Sequence, residues 1–342
     1  MGSSEKLKVG VIGAGVLGRF HSNLYKQSAN AALVGVYDAN PEVAGRIATE
    51  FNVPVFPTID ELSAACEGLS IAVPADRHHE VAMPLIRQGK HLLIEKPIAV
   101  TVKEAQDIVQ AAERAKVVVA VGHVERYNPV MSYLEKRAGK TRFIEAHRLA
   151  PYPPPRPGNH PRGTEVGVVL DLMIHDLEII LHLVDSEVEN IMANGIPILS
   201  KTEDIANARI QFKNGAVANI TASRVSPMAR RKIRVFQTDC CINLDYQEKS
   251  GLVYTKGLMG IDKKNVPVKD SNALQDELEE FIRCATHARD TGTFIPQKVS
   301  GMDGLRALKL AIDVTDALHD YNKRYGFYNY EQIKKEMEAA TL

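Results

Sequence analysis

The stretch Val9-Gly10-Val11-Ile12-Gly13-Ala14-Gly15-Val16-Leu17-Gly18 is a short apolar run that breaks into glycines at the spacing G-x-G-x-x-G. Gly13 permits a tight turn out of a strand, Gly15 lets backbone approach a pyrophosphate, and Gly18 allows close packing of the next helix. The first N–H groups of that helix, around Val16 and Leu17, would face the phosphates. A second apolar run, Ala32–Tyr37, ends in Asp38, twenty residues past Gly18, where an acid hydrogen-bonds adenosine ribose hydroxyls. The context of strand, turn and helix predicts a dinucleotide site built on Gly13, Gly15, Val16, Leu17, Gly18 and Asp38. A carboxylate at Asp38 repels a 2′-phosphate, and Ala39, Asn40 and Pro41 place no arginine beside it, so NAD is expected rather than NADP.

Outward from this motif, strand and helix signals alternate through residue 124. Strand-like runs are expected at Lys8–Ile12, Ala32–Tyr37, Leu69–Val73, His91–Ile94 and Val117–Val121. Asn40-Pro41 reads as an N-cap with proline at the first helical position, Thr58-x-x-Glu61 and Thr101-x-x-Glu104 as capping boxes, and Asp76 as another cap. Buried strands alternating with amphipathic helices make a doubly wound parallel sheet of the Rossmann type, assigned to residues 1–124. Beyond Gly122 the pattern changes. Helix is expected near Pro129–Arg137, a strand over Arg142–Leu149, then a proline-rich loop, Pro151–Gly163, and a helical period over Val168–Val184. Ala206, Ala208, Ile210 and Phe212 alternate with polar residues up to the hairpin signal Asn214-Gly215, with Val217–Ser223 as the return strand. Strands at Ile233–Phe236 and Cys241–Tyr246 and helices over 272–288 and 301–320 complete an α+β domain, 125–342, with a large, mostly antiparallel open sheet. The overall class is α/β.

The chain has 342 residues, with 42 basic and 42 acidic side chains, so its net charge gives no reason to expect nucleic acid or a membrane surface as partner. No apolar stretch approaches the ~20 residues of a membrane span, and the N-terminus lacks the apolar core of a signal peptide. The four cysteines, Cys66, Cys240, Cys241 and Cys284, show no metal or redox spacing and read as reduced thiols of a cytoplasmic protein.

Two constellations carry chemistry. Glu95-Lys96-Pro97 follows the fourth strand, and open α/β sheets bind ligands beyond the carboxyl ends of their strands. Lys96 is therefore either a proton-exchanging group beside the cofactor or an ordinary surface lysine. Asp171-Leu172-Met173-Ile174-His175-Asp176 puts Asp171 and His175 four apart, on one helical face. They form either a catalytic pair or a local hydrogen bond. His182 is seven residues from His175 and no third ligand is evident, so no metal site is expected.

These motifs, with Val73-Pro74-x-x-x-His78 and Gly304-Leu305-Arg306-Ala307-Leu308-Lys309, resemble the glucose–fructose oxidoreductase/inositol dehydrogenase/MocA family in order and spacing, from about Leu7 to Asp320. The resemblance implies a Rossmann domain, a second domain whose open sheet makes homodimer or homotetramer contacts, and hydride transfer between a sugar carbinol and nicotinamide. It implies Lys96 and His175 as the acid/base pair, with Asp171 orienting or charging the lysine. It also implies Val73, Pro74, His78, Glu95, Lys96 and His123 around the cofactor.

Gly122-His123-Val124-Glu125-Arg126-Tyr127-Asn128-Pro129 is similar to the segment of nucleotide-sugar 3-dehydrogenases in that family, those acting on UDP-N-acetylglucosamine or its uronic acid. This adds Arg126 and Asn128 to Lys96, Asp171 and His175 as expected substrate contacts. The proline-rich loop adds Arg156, with His160 and Arg162 nearby. Arg224, Arg230, Arg231, Lys232 and Arg234 occur over 224–234 with no acid among them, and form either a site for a diphosphate or carboxylate or an exposed strand face. Two other readings stay open: a simple-sugar dehydrogenase of the inositol type, and a nucleotide-binding regulator that does not turn over. The segment Glu331–Ala340 has a helix-like pattern with no assigned role.

Overall fold

In a computed structural model the described residues are 5–136, 139–155, 161, 163–258 and 260–327. The chain forms two compact units, Met1–Tyr127 with Ser271–Leu308, and Asn128–Asp270 with Lys309–Leu342. The first unit thus draws residues 271–308 from beyond the boundary expected near 124.

The first unit contains β1 (Leu7–Ile12), α1 (Val16–Gln27), β2 (Ala31–Tyr37), α2 (Pro41–Phe51), α3 (Ile59–Ala65), β3 (Gly68–Ile71), α4 (His78–Arg87), β4 (His91–Glu95), α5 (Val102–Ala115) and β5 (Val119–Gly122). Among the described residues its strands make one parallel sheet in the order β2-β1-β3-β4-β5. The order reverses between β1 and β3, and such a switch point opens a crevice at the strands' carboxyl ends. Local chemistry explains the helix starts: Asn40 accepts the Glu42 N–H, and Thr101 and Glu104 form a reciprocal capping box. Asp76 does not cap α4. A 3₁₀ turn, Ala75–Arg77, precedes that helix, and Arg77 stands at the cap position, where its side chain makes no capping hydrogen bond. The core joins Leu7, Val9 and Val11 of β1 to Tyr25 of α1 and to Leu278, Phe281 and Ile282 of the late sequence. That apolar face holds 271–308 in this unit; truncating a buried phenylalanine such as Phe281 would cost about 3–5 kcal/mol.

The second unit contains α6 (Met131–Lys136), β6 (Thr141–Leu149), a π-helical turn (Val169–Met173), α7 (Ile174–Val184), β7 (Val188–Ile196), β8 (Ile205–Phe212), β9 (Val217–Ser223), β10 (Arg230–Gln237), β11 (Cys240–Asp245), β12 (Ser250–Gly257) and β13 (Gly260–Asn265). Two long helices follow, α8 (Ala273–Thr291) and α9 (Gly301–Tyr325). Of these, α8 and the first turns of α9 belong to the first unit. The described strands of the second unit form an eight-stranded sheet, β13-β12-β11-β10-β6-β9-β8-β7, antiparallel except for the pair β6–β9. The expected hairpin forms at Asn214-Gly215, where Gly215 has φ +83° and the Phe212 N–H donates to the Ala216 carbonyl. One sheet face is buried through Ile144, Ala146, Ala208, Ile210, Ile220, Ile233 and Val235. His147, Asn207, Arg209, Lys232 and Arg234 alternate with them on the exposed side. Arg148 of β6 ties the covered face to α7: its Nε donates to Asp176 Oδ2 at 2.6 Å, both side chains being buried.

Candidate active site

In the first unit the carboxyl ends of β1 to β5 gather the expected cofactor residues. Gly13 turns at φ +92°, and a Cβ there would stand 2.6 Å from the Ala72 backbone, so the loop leaving β1 has no room for a side chain. A Cβ on Gly18 would overlap the Gly13 carbonyl oxygen, which sets how closely α1 follows the loop. Gly15 is different. Apart from its two chain neighbours, no residue has an atom within 4 Å of a Cβ built there, and as N-cap of α1 it offers no side-chain hydrogen bond to the first N–H groups. Open space against an uncapped helix N-terminus is what a pyrophosphate needs. Asp38 fixes the neighbouring edge, Oδ2 accepting the Ala14 N–H at 2.7 Å and Oδ1 the Asn40 N–H at 2.8 Å. A carboxylate has about four acceptor positions, so two remain for ribose hydroxyls. These residues fit NAD: Gly13, Gly15, Val16, Leu17 and Gly18 would hold its phosphates and Asp38 its ribose.

Glu95, Lys96 and Pro97 leave β4 through a cis Lys96–Pro97 peptide. Glu95 is buried, with His21 Nε2 3.1 Å from Oε1 and the Lys96 N–H 3.3 Å from Oε2. Burial alone would raise its pKa; the His21 hydrogen bond and charge, with Lys96, outweigh this and hold it below the ordinary carboxylate value. Lys96 is half-buried. His123, just past β5, is 1% exposed, and burial with the Lys96 charge pushes its pKa down to about 3. It is a neutral imidazole at working pH.

Three expected contacts sit differently from the sequence reading. The His78 ring is buried, Nδ1 2.8 Å from the Pro97 carbonyl and Nε2 3.0 Å from the Val73 carbonyl. It braces the turn after β3, Val73-Pro74, against the Lys96–Pro97 loop. Arg126 is 3% exposed and Asn128 7%, and Asn128 Nδ2 donates to the Tyr246 carbonyl at 3.1 Å. That amide packs the interior of the second unit.

In the second unit Asp171 lies in the π turn and His175 one turn later, at the start of α7; both are half-buried. The expected regular helix over 168–184 is therefore widened where Asp171 projects, and such turns are frequent at functional sites. Gly163, at φ +83°, lies against Asp171, since a Cβ there would overlap Oδ2. The basic run does not act as one patch. Arg224 is 2% exposed and fully engaged inside the unit, while Lys232 pairs with Asp245 and Arg234 with Glu145 on the open sheet face. The exposed-strand alternative holds for Lys232 and Arg234. Arg156, His160 and Arg162, and the segment Glu331–Ala340, lie outside the described residues. Among the described residues no group of three or more His, Cys, Asp or Glu could hold a metal ion, and no helix is long and apolar enough to cross a membrane.

The pattern of an oxidoreductase family with an NAD-binding Rossmann fold matches residues 7–123, and that of the GFO/IDH/MocA C-terminal domain matches residues 133–242. UDP-N-acetylglucosamine 3-dehydrogenase of Acidithiobacillus ferrooxidans is 34% identical over 325 residues, 93% of this chain and 99% of that protein. The chain belongs to the GFO/IDH/MocA family. A solved structure of the Acidithiobacillus ferrooxidans protein superposes with a TM-score of 0.83 at 34% identity, over 92% of this chain and 98% of that one. Glucose-6-phosphate 3-dehydrogenase of Bacillus subtilis is 30% identical over 240 residues, 64% of this chain and 68% of that protein. This GFO/IDH/MocA chain is accordingly an NAD-dependent oxidoreductase acting on CH–OH groups.

Proposed function

We propose that this enzyme oxidises the 3-hydroxyl of a UDP-N-acetylglucosamine-type nucleotide sugar. The observation that carries the reading is the match, end to end, to a relative named for that reaction. In support, Lys96 follows β4 at the carboxyl edge of the parallel sheet, and Asp171 and His175 keep the residue types and spacing of the family motif.

Bound NAD supplies the hydride acceptor. Lys96 and His175 exchange the hydroxyl proton as the sugar carbon gives up hydride, and Asp171 supplies the carboxylate of that acid–base set. Glu95, held ionised by His21, steadies the backbone that carries Lys96. Val73, Pro74 and His123 line the cofactor side, with His78 as a brace behind them. Arg126 and Asn128 shape the substrate side from within, and Arg156 is kept as a candidate phosphate contact. The open face of the eight-stranded sheet serves as the homo-oligomer contact, and the enzyme works in the cytoplasm, where NAD is supplied.

The test is calorimetry of the full chain with NAD and then UDP-N-acetylglucosamine, followed by absorbance of NADH. NADH formation is expected. No binding and no NADH at millimolar nucleotide sugar would overturn the reading. NADH formation from inositol or a free sugar, with no binding of UDP, would transfer it to the simple-sugar class.

A further inference from the structure

We propose that Arg224, which the reaction itself does not use, is a positioning residue for Asp171. It acts by clamping the turn whose glycine packs on that carboxylate. The inference rests on the catalytic reading of Asp171 given above.

Arg224 is a large cation with almost no exposure, and its planar head is fully used. Nε donates to Asp204 Oδ1 at 2.8 Å, Nη1 to the carbonyls of Gly163 and Val166, and Nη2 to Ser200 Oγ, Thr202 Oγ1 and the Glu203 carbonyl. A guanidinium has five N–H donors, and these acceptors take all of them. Asp204 is as firmly held. It is 0% exposed, Oδ2 accepts the N–H groups of Ile198, Leu199 and Ser200, and Oδ1 also accepts the Ser200 hydroxyl. Burial would raise its pKa, but the Ser200 and Arg224 bonds and the backbone donors bring it to about 2. The pair is therefore ionised and saturated, the condition under which a buried ion pair is tolerated.

What the clamp holds is the approach to Asp171. The Gly163 and Val166 carbonyls bracket the turn before the π turn, and Thr202 Oγ1 adds a bond to the Val166 carbonyl at 3.0 Å. The Val168 N–H donates to the Glu203 carbonyl at 2.9 Å, and the Asp171 N–H to the Gly167 carbonyl at 3.2 Å. Gly163 itself meets the Asp171 carboxylate, with no room for a methyl group between them. Two loops distant in sequence thus fix the wall against which Asp171 rests. Lysine, with three donors on one nitrogen, cannot span both loops.

Arg224→Lys is compared with Thr202→Val, which removes one hydroxyl and keeps the shape, in the full chain with NAD and UDP-N-acetylglucosamine. A misplacement near 1 Å costs up to about 100-fold in rate. Arg224→Lys should lower kcat about 10- to 100-fold and Thr202→Val a few-fold, with the Kd for NAD unchanged. In an Asp171→Asn background Arg224→Lys should cost nothing further, whereas a merely structural role would add its full cost. Crystal structures should show Gly163 and Asp171 displaced in either variant. A folded variant with Gly163 and Asp171 in place and wild-type kcat overturns the inference, and Thr202→Val alone decides it if Arg224→Lys does not fold. Wild-type kcat in Asp171→Asn overturns instead the catalytic reading of Asp171, and the displacement measurement still judges the clamp without any substrate.

Discussion

The five-stranded sheet is parallel and buried on both faces, whereas the eight-stranded sheet is mostly antiparallel and leaves one face open. The first brings its proposed cofactor residues to the ends of its strands, where the glycine loop offers mainly backbone N–H groups to a ligand. The second sets Asp171, proposed for catalysis, on a widened helical turn beside the end of β9, and the side chains of Arg224 and Thr202 brace the approach to that turn. A site built on strand ends depends on local backbone shape. A site built on a braced turn depends on long-range polar contacts, and the two should fail differently under mutation.

The largest effect is expected from the groups assigned to proton exchange. Lys96→Ala and His175→Ala should each lower kcat by about 10²–10⁴-fold. If the first unit holds NAD through backbone, the Kd for NAD should change little in either variant. Calorimetry with NAD alone and turnover with the nucleotide sugar separate the two properties. Wild-type turnover in both variants would remove these residues from the mechanism; a large loss of NAD binding in Lys96→Ala would mean that the strand-end site depends on its side chains after all.

The glycines sharpen the same contrast. Gly18→Ala adds a methyl group onto the Gly13 carbonyl, and overpacking of this kind costs about 1–3 kcal/mol, visible as a lowered Tm. Gly15→Ala meets no protein atom, so Tm should hold while NAD binding weakens, because the methyl group takes space that the pyrophosphate needs. A Gly15→Ala protein with unchanged Kd for NAD would show that the open space beside α1 is not where the phosphates lie.

How much of the fold and site is legible in the sequence follows the same division. The glycine loop, Asp38, Glu95-Lys96-Pro97 and the Thr101 cap are encoded within a few residues, and the doubly wound sheet follows from them. The hairpin at Asn214-Gly215 and the Ser300–Asp303 helix start, where Ser300 and Asp303 bond reciprocally, are local as well. β13 leaves no sequence signature because all its residues are exposed, so no alternation marks it. β7, also at a sheet edge, is mostly unburied. The role of Arg224 is hidden for a different reason: its partners Asp204 and Gly163 are 20 and 61 residues away, and charge spacing along the strand says nothing about them. Motif resemblance makes His78 and Asn128 ligand contacts; it does not report that His78 also bonds the Pro97 and Val73 carbonyls and Asn128 the Tyr246 carbonyl. The π turn at Asp171 keeps helical periodicity while changing its hydrogen bonding, so no pattern of residue types reports it.

Cofactor choice is the next smaller effect. Asp38→Ala removes the carboxylate proposed to meet the ribose hydroxyls and to repel a 2′-phosphate. Loss of a hydrogen bond to a charged group is worth about 1.5–3 kcal/mol, so the ratio of kcat/KM for NAD over NADP should fall about 10- to 100-fold. Because Asp38 also accepts the Ala14 N–H, both cofactors should bind somewhat more weakly. An unchanged ratio would show that discrimination lies elsewhere.

The smallest effect is in stability against pH, and it too separates the units. His78, His91 and His123 all belong to the first unit, and burial lowers the pKa of each, His123 to about 3. His91 shows the physical reason, since its Nδ1 must keep a lone pair to accept the Val118 N–H at 3.0 Å. In an unfolded chain these rings titrate near 6.5. Their contribution is therefore fully present above about pH 6.5 and is lost as pH falls toward the folded values, at up to about 1.4 kcal/mol per pH unit for each ring. Glu277 acts in the opposite sense. It is 1% exposed, neither oxygen has a hydrogen-bond partner among the described residues, and burial with the Glu95 charge raises its pKa, so its contribution is lost as pH rises above the unfolded value. Below about pH 6.5 the lowered imidazoles pull against the one raised carboxyl, and the net effect is a loss of stability on acidification. Tm should therefore fall on acidification, with hydrogen exchange rising first in the parallel-sheet unit. Glu277→Gln should steepen that fall and raise Tm near pH 8, since it removes the opposing group. A Tm that does not move between pH 7 and 5, or exchange that rises first in the eight-stranded unit, would show that the buried imidazoles do not set the acid limit of the fold.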